Sequence, residues 1–278
     1  MNAVHRITEL TAAPRAERGF TLVELMVTVA IAVFLLFGLV TIVENVRLTY
    51  YNQQALVQLQ DEQRFAMSVL TDVIQNGGYM GSATLYTPQL AFPAAASGGT
   101  PPAYQVQSGF TATHTTGTPG GPDQIGIRYL AGPNDQAIQC DGSVTNTGAG
   151  VYTVFTNILY VVPAGGSPWA PGAAQGQLMC SVNGAAAVPI VSGVQNMVVY
   201  FGVKRNGATS DYNVDTYLTA DQMCNTCGPS NTSDWTNISS VMVILYFTNP
   251  LYGQAGQTQQ TIAFQRVIEV MSRAGVHT

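Results

Sequence analysis

Gly19-Phe20-Thr21-Leu22-Val23-Glu24, continuing as Leu25-Met-Val-Thr-Val-Ala-Ile-Ala-Val-Phe-Leu-Leu-Phe-Gly-Leu-Val40, is the stretch on which the reading of this chain turns. From Leu25 to Val43 no residue is charged. As a helix that run is ~28 Å long, close to the thickness of the hydrocarbon core of a bilayer. Glu24 stands alone at its near end. A carboxylate there costs a few kcal/mol in lipid, which makes it a candidate functional residue. The plainer alternative is an interfacial glutamate at the end of an ordinary signal anchor.

The residues before the run separate the two. Met1 to Gly19 form a short polar leader with Arg6, Arg15 and Arg18 and no apolar region of its own. A secretory signal carries its cleavage site after the apolar stretch, next to small residues. Here the polar leader ends in glycine and the apolar stretch follows. This order resembles the leader of type IV prepilins, with Gly19 last in the leader and Phe20 first in the mature chain. Glu24 then falls where that family carries its glutamate.

The resemblance implies chemistry performed by other proteins. A membrane-embedded prepilin peptidase cuts between Gly19 and Phe20 and methylates the new amine of Phe20. The helix then leaves the bilayer and packs among sister helices in a filament. An unpaired charge among packed apolar helices is unfavourable, whereas a carboxylate paired with a neighbour's terminal amine is tolerated. Glu24 is accordingly expected to pin the register between subunits.

The resemblance continues through Leu59-Gln60-Asp61-Glu62-Gln63-Arg64-Phe65-Ala66 and Gly78-Tyr79-Met80-Gly81, which look like the helix and turn of the PilW family of minor pilins. Val191-Ser192-Gly193-Val194, Tyr200-Phe201-Gly202, Asp215-Thr216-Tyr217 and Trp235-Thr236-Asn237-Ile238 follow in that family's order. Ser82 departs from relatives that place a cysteine after the turn. The function implied is a minor type IV pilin that primes pilus assembly near the tip, in a pilus serving twitching motility, adhesion or DNA uptake. Its implied partners are other minor pilins, the major pilin, the prepilin peptidase, the inner-membrane assembly platform and, before assembly, membrane lipid. The nearest alternative is a minor pseudopilin of a type II secretion system; a second is a signal-anchored envelope binding module.

Along 278 residues the chain divides into a leader (1–19), a membrane or filament-core helix (20–43), an amphipathic helix (44–77), a loop-rich excursion (78–123) and a β-rich head (124–278). The positive leader keeps the N-terminus in the cytoplasm and sends the head to the periplasm. Leu56, Leu59, Ala66, Leu70 and Val73 form one apolar stripe, with Gln63 in the gap, and Gly77-Gly78 stop the helix. Between Thr84 and Pro122, a stretch rich in Ala, Pro, Gly, Ser and Thr reads as a long surface excursion with one short strand near Tyr104–Val106. Strands are predicted at Gln124–Leu130, within Val151–Val162, and at Gln177–Val182, Val188–Val191, Val194–Val203, Val241–Phe247 and Thr261–Met271. Because helices do not alternate with these strands, the fold class is α+β, a long N-terminal helix on an antiparallel sheet.

Charged residues make up only 9% of the chain and the net charge is -5, so no general basic field is available for direct nucleic-acid binding. The four cysteines all lie beyond the apolar run, an even number in an exported domain, which favours disulfides in one of three connectivities. Cys140–Cys180 with Cys224–Cys227 is preferred, because the latter pair can close a tight local loop. Cys224-Asn-Thr-Cys227 lies in a loop without the helix a redox dithiol needs, and one such couple is too few for structural zinc.

Asp211, Asn213 and Asp215 place oxygens at alternate positions, as a calcium loop opens, but Thr216 and Gln222 stand where glycine and glutamate belong. A hairpin turn between Lys204 and Tyr217 is the preferred reading, with a looser site using Asp221 as the alternative. His114 reads as a solvated loop residue. No serine elbow, His-Glu-x-x-His or phosphate-cradling loop is present, so neither an enzyme nor a cofactor is expected.

Overall fold

A computed structural model describes residues 19–82, 85–96, 102–116, 121–168, 172–205, 213–228 and 231–272. The chain forms two units, Met1–Tyr51 and Asn52–Thr278. Helix α1 (Leu22–Gln75) contributes to both. A four-residue helix α2 (Pro88–Ala91) follows. The strands are β1 (Phe110–Thr113), β2 (Gln124–Ala131), β3 (Thr153–Val162), β4 (Gln177–Val182), β5 (Val188–Ser192), β6 (Val194–Val203), β7 (Thr216–Leu218), β8 (Ile238–Thr248) and β9 (Thr261–Glu269).

These strands form two antiparallel sheets, ordered β1-β2-β3-β4-β5 and β7-β6-β8-β9, rather than the single sheet expected from the sequence. The division falls at Ser192-Gly193-Val194, where Gly193 has φ +83°, a conformation costly for any residue with a Cβ. The chain turns there out of β5 and enters β6 in the second sheet. β8, the continuous apolar run, is central in its sheet, between β6 and β9.

Within Asn52–Thr278, the stripe Leu59, Ala66, Leu70 and Val73 is buried and widened by Met67 and Ile74. It enters one apolar cluster with Ile125 and Ile127 of β2, Leu159 of β3, Val199 and Phe201 of β6, and Val243 and Leu245 of β8. At roughly 2 kcal/mol per fully buried large aliphatic side chain, this shared core is the main force holding the helix to both sheets. The helix ends where Gly78 takes φ +71°, and its N–H donates to the Arg128 carbonyl of β2 at 2.9 Å.

The excursion is more ordered than its composition suggests. Its strand is Phe110–Thr113 rather than Tyr104–Val106, and Tyr104 makes only an isolated bridge to Ala95. Part of it covers the second face of β2, so β2 is buried on both faces despite its alternating sequence. Arg128 explains how. Its side chain is buried, and Nε, Nη1 and Nη2 donate to the carbonyls of Ser108, Pro93 and Gln105 at 2.7, 2.6 and 2.8 Å. The guanidinium lies over the rings of Phe92 and Tyr104, at 5.4 and 4.6 Å from their centroids. Burial pulls its pKa down to about 10, leaving the cation charged at neutral pH. Carbonyls and aromatic faces thus replace its water.

Candidate membrane and assembly segment

The start of α1 is set by its own sequence. Thr21 is the N-cap: its carbonyl accepts from Leu25 N–H at 3.1 Å and its Oγ1 from Glu24 N–H at 3.2 Å. Glu24 therefore sits in the first turn, where the helix dipole favours a negative charge. Thr28 and Thr41 return their hydroxyls to the carbonyls of Leu25 and Gly38, so their polar atoms are satisfied within the helix. Gly19 and Phe20 precede the cap outside the helix, both exposed. Residues 1–18 of the leader lie outside the described residues.

Every residue from Gly19 to Tyr51 is exposed. Valine, leucine, isoleucine and phenylalanine point outward in all directions rather than along one stripe. A helix apolar on every side is stable only when something apolar surrounds it. Among the described residues this is the only helix long and apolar enough to cross a membrane.

The remaining sequence-predicted residues lie in the head. Cys140 is joined to Cys180, tying the loop after β2 to β4, and both are buried. The Cys140 N–H donates to Asn157 Oδ1 at 2.9 Å. Cys224 is joined to Cys227 beside the buried carboxylate of Asp234. Asp234 accepts from the Cys224 N–H at 2.9 Å and pairs with Arg205 Nη2 at 2.6 Å. That ion pair holds the Arg205 pKa above its ordinary value. The two sulfurs and the carboxylate lie within 4.8 Å of one another, but both sulfurs are consumed in the disulfide.

Of the calcium candidates, Asp211 lies outside the described residues and Asn213 is exposed. The Asp215 carboxylate accepts from the Arg205 N–H at 3.0 and 3.1 Å. The strands around it pair antiparallel, Val203 opposite Thr216. His114 departs from the solvated-loop reading: its Nδ1 is 2.9 Å from Asp123 Oδ1, a carboxylate nine positions on that folding carries back across the loop.

Sequence reasoning missed Thr21, although Thr-x-x-Glu before an apolar run is a capping signature. It also missed Arg128 and Asp123, whose partners are distant carbonyls and amides that no local pattern announces.

A model described as the prokaryotic N-terminal methylation motif matches residues 14–40, across Gly19, Phe20 and Glu24. A second, described as type IV pilus-assembly protein W, matches residues 160–272, from the end of β3 through β9. Over these two stretches the chain resembles a PilW-family, type IV pilin-like protein. No curated protein matches it. Four of the resembling segments in the head fall inside the PilW match, whereas Leu59–Ala66 and Gly78–Gly81 precede it. The methylation motif and the exposed apolar helix together fit a membrane-anchored pilin.

Proposed function

We propose that this protein is a PilW-family minor pilin that co-assembles with other minor pilins to prime pilus polymerisation and lies near the pilus tip. It is a structural subunit rather than an enzyme. Before assembly it spans the inner membrane once with its head in the periplasm. Prepilin peptidase removes the leader after Gly19 and methylates Phe20.

One observation carries this reading: an all-round apolar, exposed helix whose first turn holds a lone carboxylate, five positions beyond Gly19. Lipid satisfies the apolar surface but gives the acid no fixed partner. A bundle of sister helices satisfies both, because the amine freed at Phe20 of one subunit can neutralise Glu24 of the next. The retained Glu24 therefore favours a subunit with a neighbour to pair with over an outermost cap.

Intact mass of the purified membrane form tests the reading directly. The expected species begins at Phe20, carries one added methyl group and has no free thiols. A chain still bearing its leader in cells with an active peptidase overturns it. Pull-down of the native form with the other minor pilins tests the assembly role, and no association would count against it.

A further inference from the structure

Beyond the charge-free run the exposed surface changes character within two turns. Glu44 and Arg47 are the first charges after Glu24, and Tyr50 and Tyr51 follow, each 65% exposed. The two rings contact edge to face with centroids 6.3 Å apart. Arg47 lies three and four positions before the tyrosines, so the cation and both rings share one side of the helix. Among the described residues Arg47 makes no ion pair. The apolar surface ends at this point, and Asn52, Gln53 and Gln54 follow.

Helix geometry places this cluster at a definite depth. Glu24 and Glu44 are 20 positions apart, or ~30 Å, the thickness of the hydrocarbon core. Tyr50 and Tyr51 lie a further ~10 Å out, in the headgroup layer. Amphipathic aromatic rings are enriched there, and an arginine meets lipid phosphate.

We propose that Arg47, Tyr50 and Tyr51 form a phospholipid-headgroup anchor that fixes the depth of the unassembled protein at the outer face of the membrane. The proposal rests on the membrane-spanning reading above and names the lipid contact that sets its register. A sister helix is the competing occupant of this surface. Three features favour lipid: an apolar length matched to one bilayer, charges bracketing it at both ends, and an aromatic pair outside the second bracket.

Depth-resolved fluorescence quenching tests it. The full chain is placed at high dilution in vesicles of phosphatidylethanolamine and phosphatidylglycerol, with bromine labels near either the headgroup end or the methyl end of the acyl chains. Tyr51→Trp is compared with Phe34→Trp, and the unsubstituted chain, whose tryptophans are Trp169 and Trp235, sets the background. The expected result is that the Tyr51→Trp probe is quenched severalfold more by the shallow label, and the Phe34→Trp probe severalfold more by the deep one. Replacing Arg47, Tyr50 and Tyr51 by alanine in the Phe34→Trp chain should bring its two quenching efficiencies towards equality.

If Phe34→Trp is quenched deeply while Tyr51→Trp stays at background, the anchor is overturned and the membrane span stands. The anchor fails equally if Tyr51→Trp is quenched mainly by the deep label, or if the triple alanine variant leaves the depth at Phe34→Trp unchanged. If Phe34→Trp is not quenched at all, the membrane-spanning reading fails and takes the anchor with it.

Discussion

Asp123, at the entrance to β2, accepts the backbone N–H of Val199 on β6 at 2.8 Å, so one carboxylate of the first sheet hydrogen-bonds the main chain of the second. The same side chain, 1% exposed, accepts from Thr115 N–H at 3.1 Å and pairs with His114. Its own N–H donates to the Met197 carbonyl at 2.8 Å. Core packing brings the sheets together without fixing how one slides on the other; directional bonds of this kind do. Asp123→Ala leaves the buried Val199 amide without an acceptor and should cost about 2 kcal/mol. Urea unfolding of the detergent-solubilised protein measures this, and a change within experimental error would refute the role.

Arg128 ties the excursion to β2 through three separate carbonyls. Lysine cannot reproduce a planar fork stacked between two rings. Arg128→Lys is therefore expected to destabilise by about 2 kcal/mol, with the loss concentrated in the covering segment. Hydrogen exchange should show amides around Gln105–Ser108 losing protection before those of β6 and β8. Uniform loss across the head would mean that the arginine does not hold the segment locally.

The two disulfides should differ in their contribution to stability. Cys140 and Cys180 are separated by 40 positions, Cys224 and Cys227 by three. Loop-closure entropy gives roughly 4 kcal/mol for the longer bridge and about 1.5 kcal/mol for the shorter. Double alanine variants of each pair, compared by thermal unfolding, should rank in that order. The reverse ranking would indicate that the small bridge acts through the Asp234–Arg205 network rather than through chain entropy.

At the N-terminus the predictions concern assembly rather than stability. Glu24→Ala should process normally but recover severalfold less of the partner minor pilins in pull-downs. Normal piliation and recovery would contradict the pairing role. Substituting a bulky residue at Gly19 should instead accumulate the uncut precursor, visible by intact mass.

How much is legible before folding varies with the range of the interaction. α1, its amphipathic stripe and its glycine stop can be read because helices are written in three- and four-residue steps. β3 to β6, β8 and β9 show in alternation or in continuous apolar runs bounded by turn residues. β1 and β7, at four and three residues, are too short for a period to register. β2 alternates in sequence, yet the face carrying Gly126, Arg128 and Leu130 is covered by a distant segment.

The N-terminal reading needs no tertiary structure, because the Gly19–Glu24 spacing and the following apolar run are contiguous in the chain. Its length, lone acid and all-round apolarity are properties of one helix, whose hydrogen bonds are local. Division of the strands into two sheets, the Asp123 link between them and the enclosure of Arg128 are decided only by the fold. Each depends on backbone groups far apart in sequence, and nearly every residue offers the same N–H and carbonyl, so residue identity carries no label of its partner.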